Sequence, residues 1–348
     1  MRNFVSLCLL SITVVMTGCT AMPDYSFSPN FNAQTGEFEH PEGYTQDKGL
    51  WEGLGVAGDY LTRADDPAEK NGFPVLTQDM QPERSADVDA SVTWIGHSTL
   101  LFERAGVRVM TDPIFSDRAS PVSFAGPKRV VPPAITIDDL PAVDVVIISH
   151  SHYDHLDLPG IKRLITAQPA IEFVVPLGIA PILKKAGVTN VTEIDWWQTH
   201  EINGIGYTAT PVRHWSSRST FDRNETLWAG FMVRFADGYQ FYFAGDTGYG
   251  TDFVKTRERL GPANFAAIPI GAYDPRDFMK SAHVNPEEAV QIFKDIGTSK
   301  AVAVHWGTFK LTLEPLAEPP VRLNKALAAA GIKNELFRAL KHGERWDL

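Results

Sequence analysis

Cysteine is almost missing from this chain: among 348 residues only Cys8 and Cys19 occur. A disulfide-stapled scaffold is therefore excluded. Runs of Lys and Arg are missing too, and the formal net charge is −10, which excludes the basic footprint of a nucleic-acid-binding protein. No apolar stretch reaches the roughly 20 residues of a membrane-spanning helix. Internal repeats and low-complexity tracts are absent. What is present is ordinary: 44% hydrophobic and 21% charged residues suffice for a sizeable core. The length exceeds that of a usual single domain, and a large domain with extensions accounts for it.

The N-terminus stands apart. "MRNFVSLCLLSITVVMTGC" places one positive charge, Arg2, before an apolar run from Phe4 to Met16 and then small residues. A run of that length fits the h-region of a secretory signal peptide. Met16-Thr17-Gly18-Cys19 resembles the lipobox of bacterial lipoproteins. That resemblance implies a lipoprotein signal peptide over residues 1–18 and a lipidated Cys19 that holds the mature chain to a membrane surface. Cys8 leaves with the signal. The expected location is the bacterial cell envelope, at the outer membrane or periplasmic face rather than the cytoplasm. Residues 19–85 are polar and turn-rich, as in "SFSPNFNAQTG" and "HPEGYTQDKG", and read as a tether and an N-terminal extension packed on the main domain. One short helix is expected around "LWEGLGVAGDYL". The part from Thr20 to about Lys48 reads as long enough for the body to reorient.

The main domain is expected over residues 86–348. "SVTWIGHSTLLFE" and "VRVMTDPI" read as two strands joined at Ala105-Gly106. "VDVVIIS" reads as a strand buried on both faces. "PGIKRLITA" and "LGIAPILKKAG" read as helices, and "LWAGFMVRFADGYQFYFAGD" as a hairpin turning at Asp237-Gly238. Asn285 caps a helix that Pro286 starts, with Glu287 and Glu288 in its first turn. The strand "AVAVHW" follows. Hairpins first and last, with helices outside, predict an α/β fold of two packed sheets.

Chemistry concentrates in "VVIISHSHYDHLDLPG", where three of the ten histidines fall within six residues. His150 and His152 sit two apart at a strand end, so an extended backbone points both to one side. Asp154 and His155 follow where the chain turns. Burying such groups unpaired is costly, and two ligand clusters on one loop are what a pair of metal ions needs. His214, Asp246 and His305 each close a later predicted strand, where strand ends gather at one rim. Each is ordinary alone; beside the HxHxDH cluster they complete a site. Imidazole nitrogen and carboxylate oxygen suit Zn²⁺.

HxHxDH followed by a later His, Asp and His resembles the metallo-β-lactamase superfamily. "GHSTLLFERAGVRVMTDPIFSDRASP", "GPKR", "DWW", "YFAGDTGYG", "AAIPIGAYDPR", "HVNPEEAV", "HWGTF" and "EPPVRLNKAL" are similar to the N-acylphosphatidylethanolamine-hydrolysing phospholipase D family and its bacterial relatives. The similarity runs from about Trp51 to "KHGE". It implies an αββα four-layer sandwich, two mixed β-sheets flanked by helices, and two Zn²⁺ per chain. His150, His152 and His214 are then implied to hold one ion, and Asp154, His155 and His305 the other, with Asp246 bridging. Asp154 and His283 are implied as catalytic residues, His283 facing substrate. Asp112 is implied to support the metal loop, while His97 is either a packed histidine or a second support. A homodimer is also implied. Asp277 and Arg213 replace the Trp and Gln expected from the animal enzymes, both at positions expected near the substrate groove. The aromatics of "DWWQTH" and "RHWSSRSTF" are either core or channel.

The implied reaction is hydrolysis of an N-acylphosphatidylethanolamine-like phospholipid to phosphatidic acid and an N-acylethanolamine, by water made acidic at two zinc ions. The rivals are a lactonase or soluble phosphodiesterase on the same site, and a non-enzymatic zinc-binding envelope lipoprotein.

Overall fold

The computed structural model describes residues 24–44, 55, 58–60, 62, 63, 65–76 and 89–348. Residues 1–18, read above as a signal peptide, Cys19 and most of the helix expected around "LWEGLGVAGDYL" lie outside the described residues. A small hairpin comes first, β1 (Phe31–Asn32) with β2 (Glu37–Phe38). The first large sheet follows from β3 (Ala90–Gly96), β4 (Thr99–Arg104), β5 (Val107–Thr111), β6 (Val145–Ile147), β7 (Glu172–Pro176) and β8 (Val191–Ile194). The second contains β9 (Thr199–Ile202), β10 (Ile205–Thr210), β11 (Gly230–Arg234), β12 (Gln240–Phe243), β13 (Phe265–Pro269), β14 (Lys300–Val304) and β15 (Phe337–Arg338). A final strand, β16 (Arg345–Asp347), returns to pair with β3 on the first sheet. Each sheet is antiparallel in one part and parallel in the other.

Alternation explains the layering. Leu100, Phe102, Val145, Ile147 and Val174 turn toward the second sheet, while Leu101, Val146, Phe173 and Val175 turn outward onto a second apolar cluster. Adjacent residues of a strand face opposite sides, so a continuous apolar run such as that of β6 serves both cores. Phe102 of β4 stacks on Phe241 of β12 across the two sheets, with centroids 4.4 Å apart. The helices Leu158–Ala167 and Ile179–Lys185 contribute Ile161, Leu164, Ile179 and Leu183 to the outer cluster. The helix Pro286–Asp295 is capped by Asn285 as expected, with a reciprocal bond from Glu288.

Two expectations are corrected. "SVTWIGHSTLLFE" is a hairpin rather than one strand, because the chain reverses at Gly96 and His97, both with positive φ. Distant partners hold that turn: Thr308 Oγ1 accepts from the His97 N–H, and the His97 carbonyl accepts from His305 N and Trp94 Nε1. The second concerns freedom to reorient: the N-terminal extension packs on the main domain as expected, but the packed part takes up most of the stretch from Thr20 to Lys48. Residues 24–44 dock on the body, with Tyr25 and Phe38 in the main core and the Tyr25 hydroxyl donating to Glu193. Among the described residues, no helix is long and apolar enough to cross a membrane.

Candidate metal centre

The parallel strands β6, β12 and β14 end at one rim, where open α/β sheets place their sites. His150 follows β6, Asp246 follows β12 and His305 follows β14. Gly245 lets β12 approach the metal loop: its φ is +61°, and a Cβ there would lie 2.7 Å from the Ser149 Cβ. All seven residues expected as ligands come together, in two groups. His150 Nε2 lies 2.8 Å from His152 Nδ1, which lies 3.1 Å from His214 Nε2. In the second group, Asp154 Oδ2 is 3.3 Å from both His155 Nε2 and His305 Nε2. Asp246 Oδ2 stands between the groups, 3.0 Å from His305 Nε2, 3.2 Å from His155 Nε2 and 3.8 Å from His214 Nε2.

Buried polar atoms without hydrogen-bond partners collect here: His152 Nε2, His155 Nε2, His305 Nε2 and Asp246 Oδ1. Such atoms are expensive unless something coordinates them. Electrostatics agree. Burial drives His150 and His214 well below the ordinary imidazole range and His152 to about 4. Burial also opposes ionisation of Asp154 and Asp246, yet His155 and its neighbours overcome it and hold both carboxyls well below their usual range. Neutral imidazoles beside ionised carboxylates are the protonation states that bind a divalent cation. His155 and His305 are the exceptions: burial is outweighed by the surrounding carboxylates, so His155 rises well above its usual value and His305 to about 9. A cation held there would replace those protons. The donor set therefore fits a metal pair.

Supporting residues decide which nitrogen faces the site. Asp112, fully buried, sits 2.6 Å from His155 Nδ1 and accepts from the Ser149 hydroxyl and N–H. His155 Nε2 is thereby left for the site. Ser149 Oγ lies 2.9 Å from His150 Nδ1, and the Ala282 carbonyl 3.0 Å from His214 Nδ1. His97, which the residues left open, touches the site: its Nε2 is 3.0 Å from Asp154 Oδ2. His283 lies at the edge, its Nδ1 3.8 Å from Asp246 Oδ2 and its ring 5.1 Å from that of His214.

Trp215 meets His152 edge-on, whereas Trp196 is core and donates to the Trp228 carbonyl. Arg213 and Asp277 do not join the cluster. The Arg213 guanidinium reaches Asp252 and Glu42, and the Asp277 side chain is exposed beside Lys280. Two supports escaped the reading of the sequence. Asp157 binds the N–H groups of Phe115, Ser116 and Gly160, a cap that its place before Leu158-Pro159 could have revealed. Arg218 donates to the carbonyls of Ser151 and Leu156, bracing the metal loop from 62 or more residues away; no local signal marks it.

The family model for the Beta-lactamase superfamily domain matches residues 107–306. The chain is 42% identical to N-acyl-phosphatidylethanolamine-hydrolyzing phospholipase D 1 of Caenorhabditis elegans, over 73% of this chain and 75% of that protein. It is 28% identical to a metal-dependent hydrolase of Methanopyrus kandleri, over 74% of this chain and 99% of that one. A possible metal-dependent hydrolase from Veillonella parvula shares the fold, with a TM-score of 0.59 at 20% identity over 74% of this chain and 99% of that one. With the buried His/Asp cluster at the strand ends, these findings show that the chain is a metal-dependent hydrolase belonging to the metallo-β-lactamase superfamily, in the family that includes the nematode phospholipase D.

Proposed function

We propose that this protein hydrolyses the distal phosphodiester bond of N-acylphosphatidylethanolamine-like lipids, releasing phosphatidic acid and an N-acylethanolamine. The observation that carries the reading is the placement of Asp246 Oδ2 between two ligand groups, in a chain 42% identical to a relative named for that reaction. His150, His152 and His214 would hold one Zn²⁺, Asp154, His155 and His305 the other, and Asp246 would bridge. Two such ions supply Lewis acidity and lower the pKa of water toward neutrality. Asp154 and His283 keep 14% and 11% of their side chains exposed, so they are placed to handle protons at the substrate. Asp154, held ionised by the surrounding histidines, accepts a hydrogen bond from the attacking water and orients it. His283 delivers one to the oxygen that leaves when the phosphorus–oxygen bond to the ethanolamine breaks. A cavity of about 620 Å³ beside the metal loop, lined among others by Phe115, Tyr153, Leu156, Leu158 and Arg218, offers both apolar surface and a cation to a phospholipid.

Lipidation of Cys19 belongs to the same reading. With residues 24–44 docked, the six steps from Cys19 to Tyr25 span at most about 20 Å, so an anchored chain would hold its body close against the bilayer. The test is a metal-loaded activity screen over N-acylated phospholipid, simple phosphodiesters and lactones. Preference for the N-acylated phospholipid supports the reading, and turnover of lactones alone refutes it. Cys19→Ser, exported normally, should leave the membrane fraction; equal membrane association with the wild type refutes the anchor.

A further inference from the structure

Residues 24–44 lie outside the stretch matched by the family model, yet they bind the loops that carry the site. His40, fully buried, places Nε2 3.2 Å from Asp252 Oδ1. Arg213 Nε donates to Asp252 Oδ2 at 3.0 Å, and Arg213 Nη2 donates to Glu42 Oε2 at 2.7 Å. Thr251 Oγ1 and Lys255 Nζ also donate to Glu42. The segment is thus fastened to Arg213, the residue immediately before His214, and to Asp252, six positions after Asp246.

Arg213 in turn joins those two loops. Its N–H donates to Thr247 Oγ1 at 3.0 Å, and its carbonyl accepts from the Gly248 N–H at 2.8 Å. The path of its side chain is built into the fold: a Cβ on Gly250 would lie 2.0 Å from Arg213 Nε. Phe38, His40 and Tyr44 also share with His214 and Trp215 the lining of a cavity of about 180 Å³. The segment therefore packs against the neighbourhood of a ligand, not against a remote surface.

We propose that residues 24–44 form a strap that positions the metal centre. The chain of contacts Glu42–Arg213–Asp252–His40 holds the loops bearing His214 and Asp246 in register, and Arg213 and Asp252 act as positioning residues. Arg suits this task because its planar fork engages both carboxylates at once, which Lys cannot reproduce. The proposal rests on the reading of the His/Asp cluster as a metal centre and is independent of the substrate.

The test uses the full chain loaded with Co²⁺, comparing wild type with Glu42→Ala, Arg213→Gln, their combination and Arg213→Lys. Glu42 is partly exposed, so its replacement leaves the core intact. The measurements are the rate of Co²⁺ loss to a chelator, the visible Co²⁺ spectrum, and proteolysis of the strap. Each single variant should speed metal loss by about tenfold, as for other residues that orient ligands, and should alter the spectrum. The double variant should add little beyond Arg213→Gln, and Arg213→Lys should fall between. A strap that becomes protease-sensitive while metal loss and spectrum stay as in the wild type overturns the proposal. A wild-type chain that takes up no Co²⁺ overturns the metal-centre reading, and the strap's role with it.

Discussion

Replacing Asp112 with Asn tests whether the buried carboxylate sets the tautomer of His155. Asp112 Oδ2 is 2.6 Å from His155 Nδ1 and accepts from Ser149 Oγ at 2.6 Å, while Oδ1 accepts from Ser149 N at 2.7 Å. An Asn amide oxygen can keep the Ser149 N–H, but its NH₂ then meets the Nδ1–H of His155. The ring must either tolerate two opposed donors or move its proton to Nε2, the atom that faces Asp154 and Asp246. A hydrogen bond to a charged group is worth roughly 1.5–3 kcal/mol. At about 1.4 kcal/mol per decade, metal affinity should fall by roughly 10–100-fold, the range typical of residues that orient ligating histidines. The assay is competition for metal against a chelator, with circular dichroism of the metal-free protein as a control for folding. A folded Asp112→Asn protein with wild-type metal affinity would refute the argument, since the variant sets a donor against His155 Nδ1 and also takes away the acceptor of the Ser149 hydroxyl.

Further outcomes follow from the same geometry. Asp246→Ala removes the oxygen between the two ligand groups and should lower turnover by more than about 100-fold with the fold retained; near-normal turnover would count against a bridged pair. His283→Ala should lower turnover at unchanged metal content, and metal loss by elemental analysis would instead make His283 a ligand. His342 is held to about 3, first by burial and then by Arg129, and it lies 3.0 Å from Thr308 Oγ1. Above pH 6.5 it is neutral whether the chain is folded or not. Below that the unfolded chain takes up a proton that the folded one refuses, so stability falls by about 1.4 kcal/mol per pH unit. Between pH 6.5 and 5 the His342→Gln protein should therefore lose about 2 kcal/mol less than the wild type in urea titrations; parallel pH profiles would show that His342 contributes nothing to this slope.

Where a signal is local, the sequence alone determined the answer. The apolar run of β6 reads as a strand because neighbouring side chains alternate between two buried faces. Asn285-Pro286 reads as a helix start because a cap needs only the next three residues. The turn at Ala105-Gly106 needs only two residues able to take positive φ, 49° and 74° here. HxHxDH reads as a metal loop because its groups lie too close together to be buried without a shared partner. Tertiary structure decided what depends on distant chain. His97 turns a stretch that reads as one strand into a hairpin, because Thr308, 211 positions away, takes its N–H. Arg213 reaches Glu42 across 171 positions, so the residue just before a candidate ligand also fastens the N-terminal segment. Phe38 and Tyr25, in a polar and turn-rich passage, belong to the main core. Composition and period describe what a segment prefers by itself; where an isolated aromatic, arginine or histidine is used depends on which surface the folded body leaves for it to cover or which buried polar group it must satisfy.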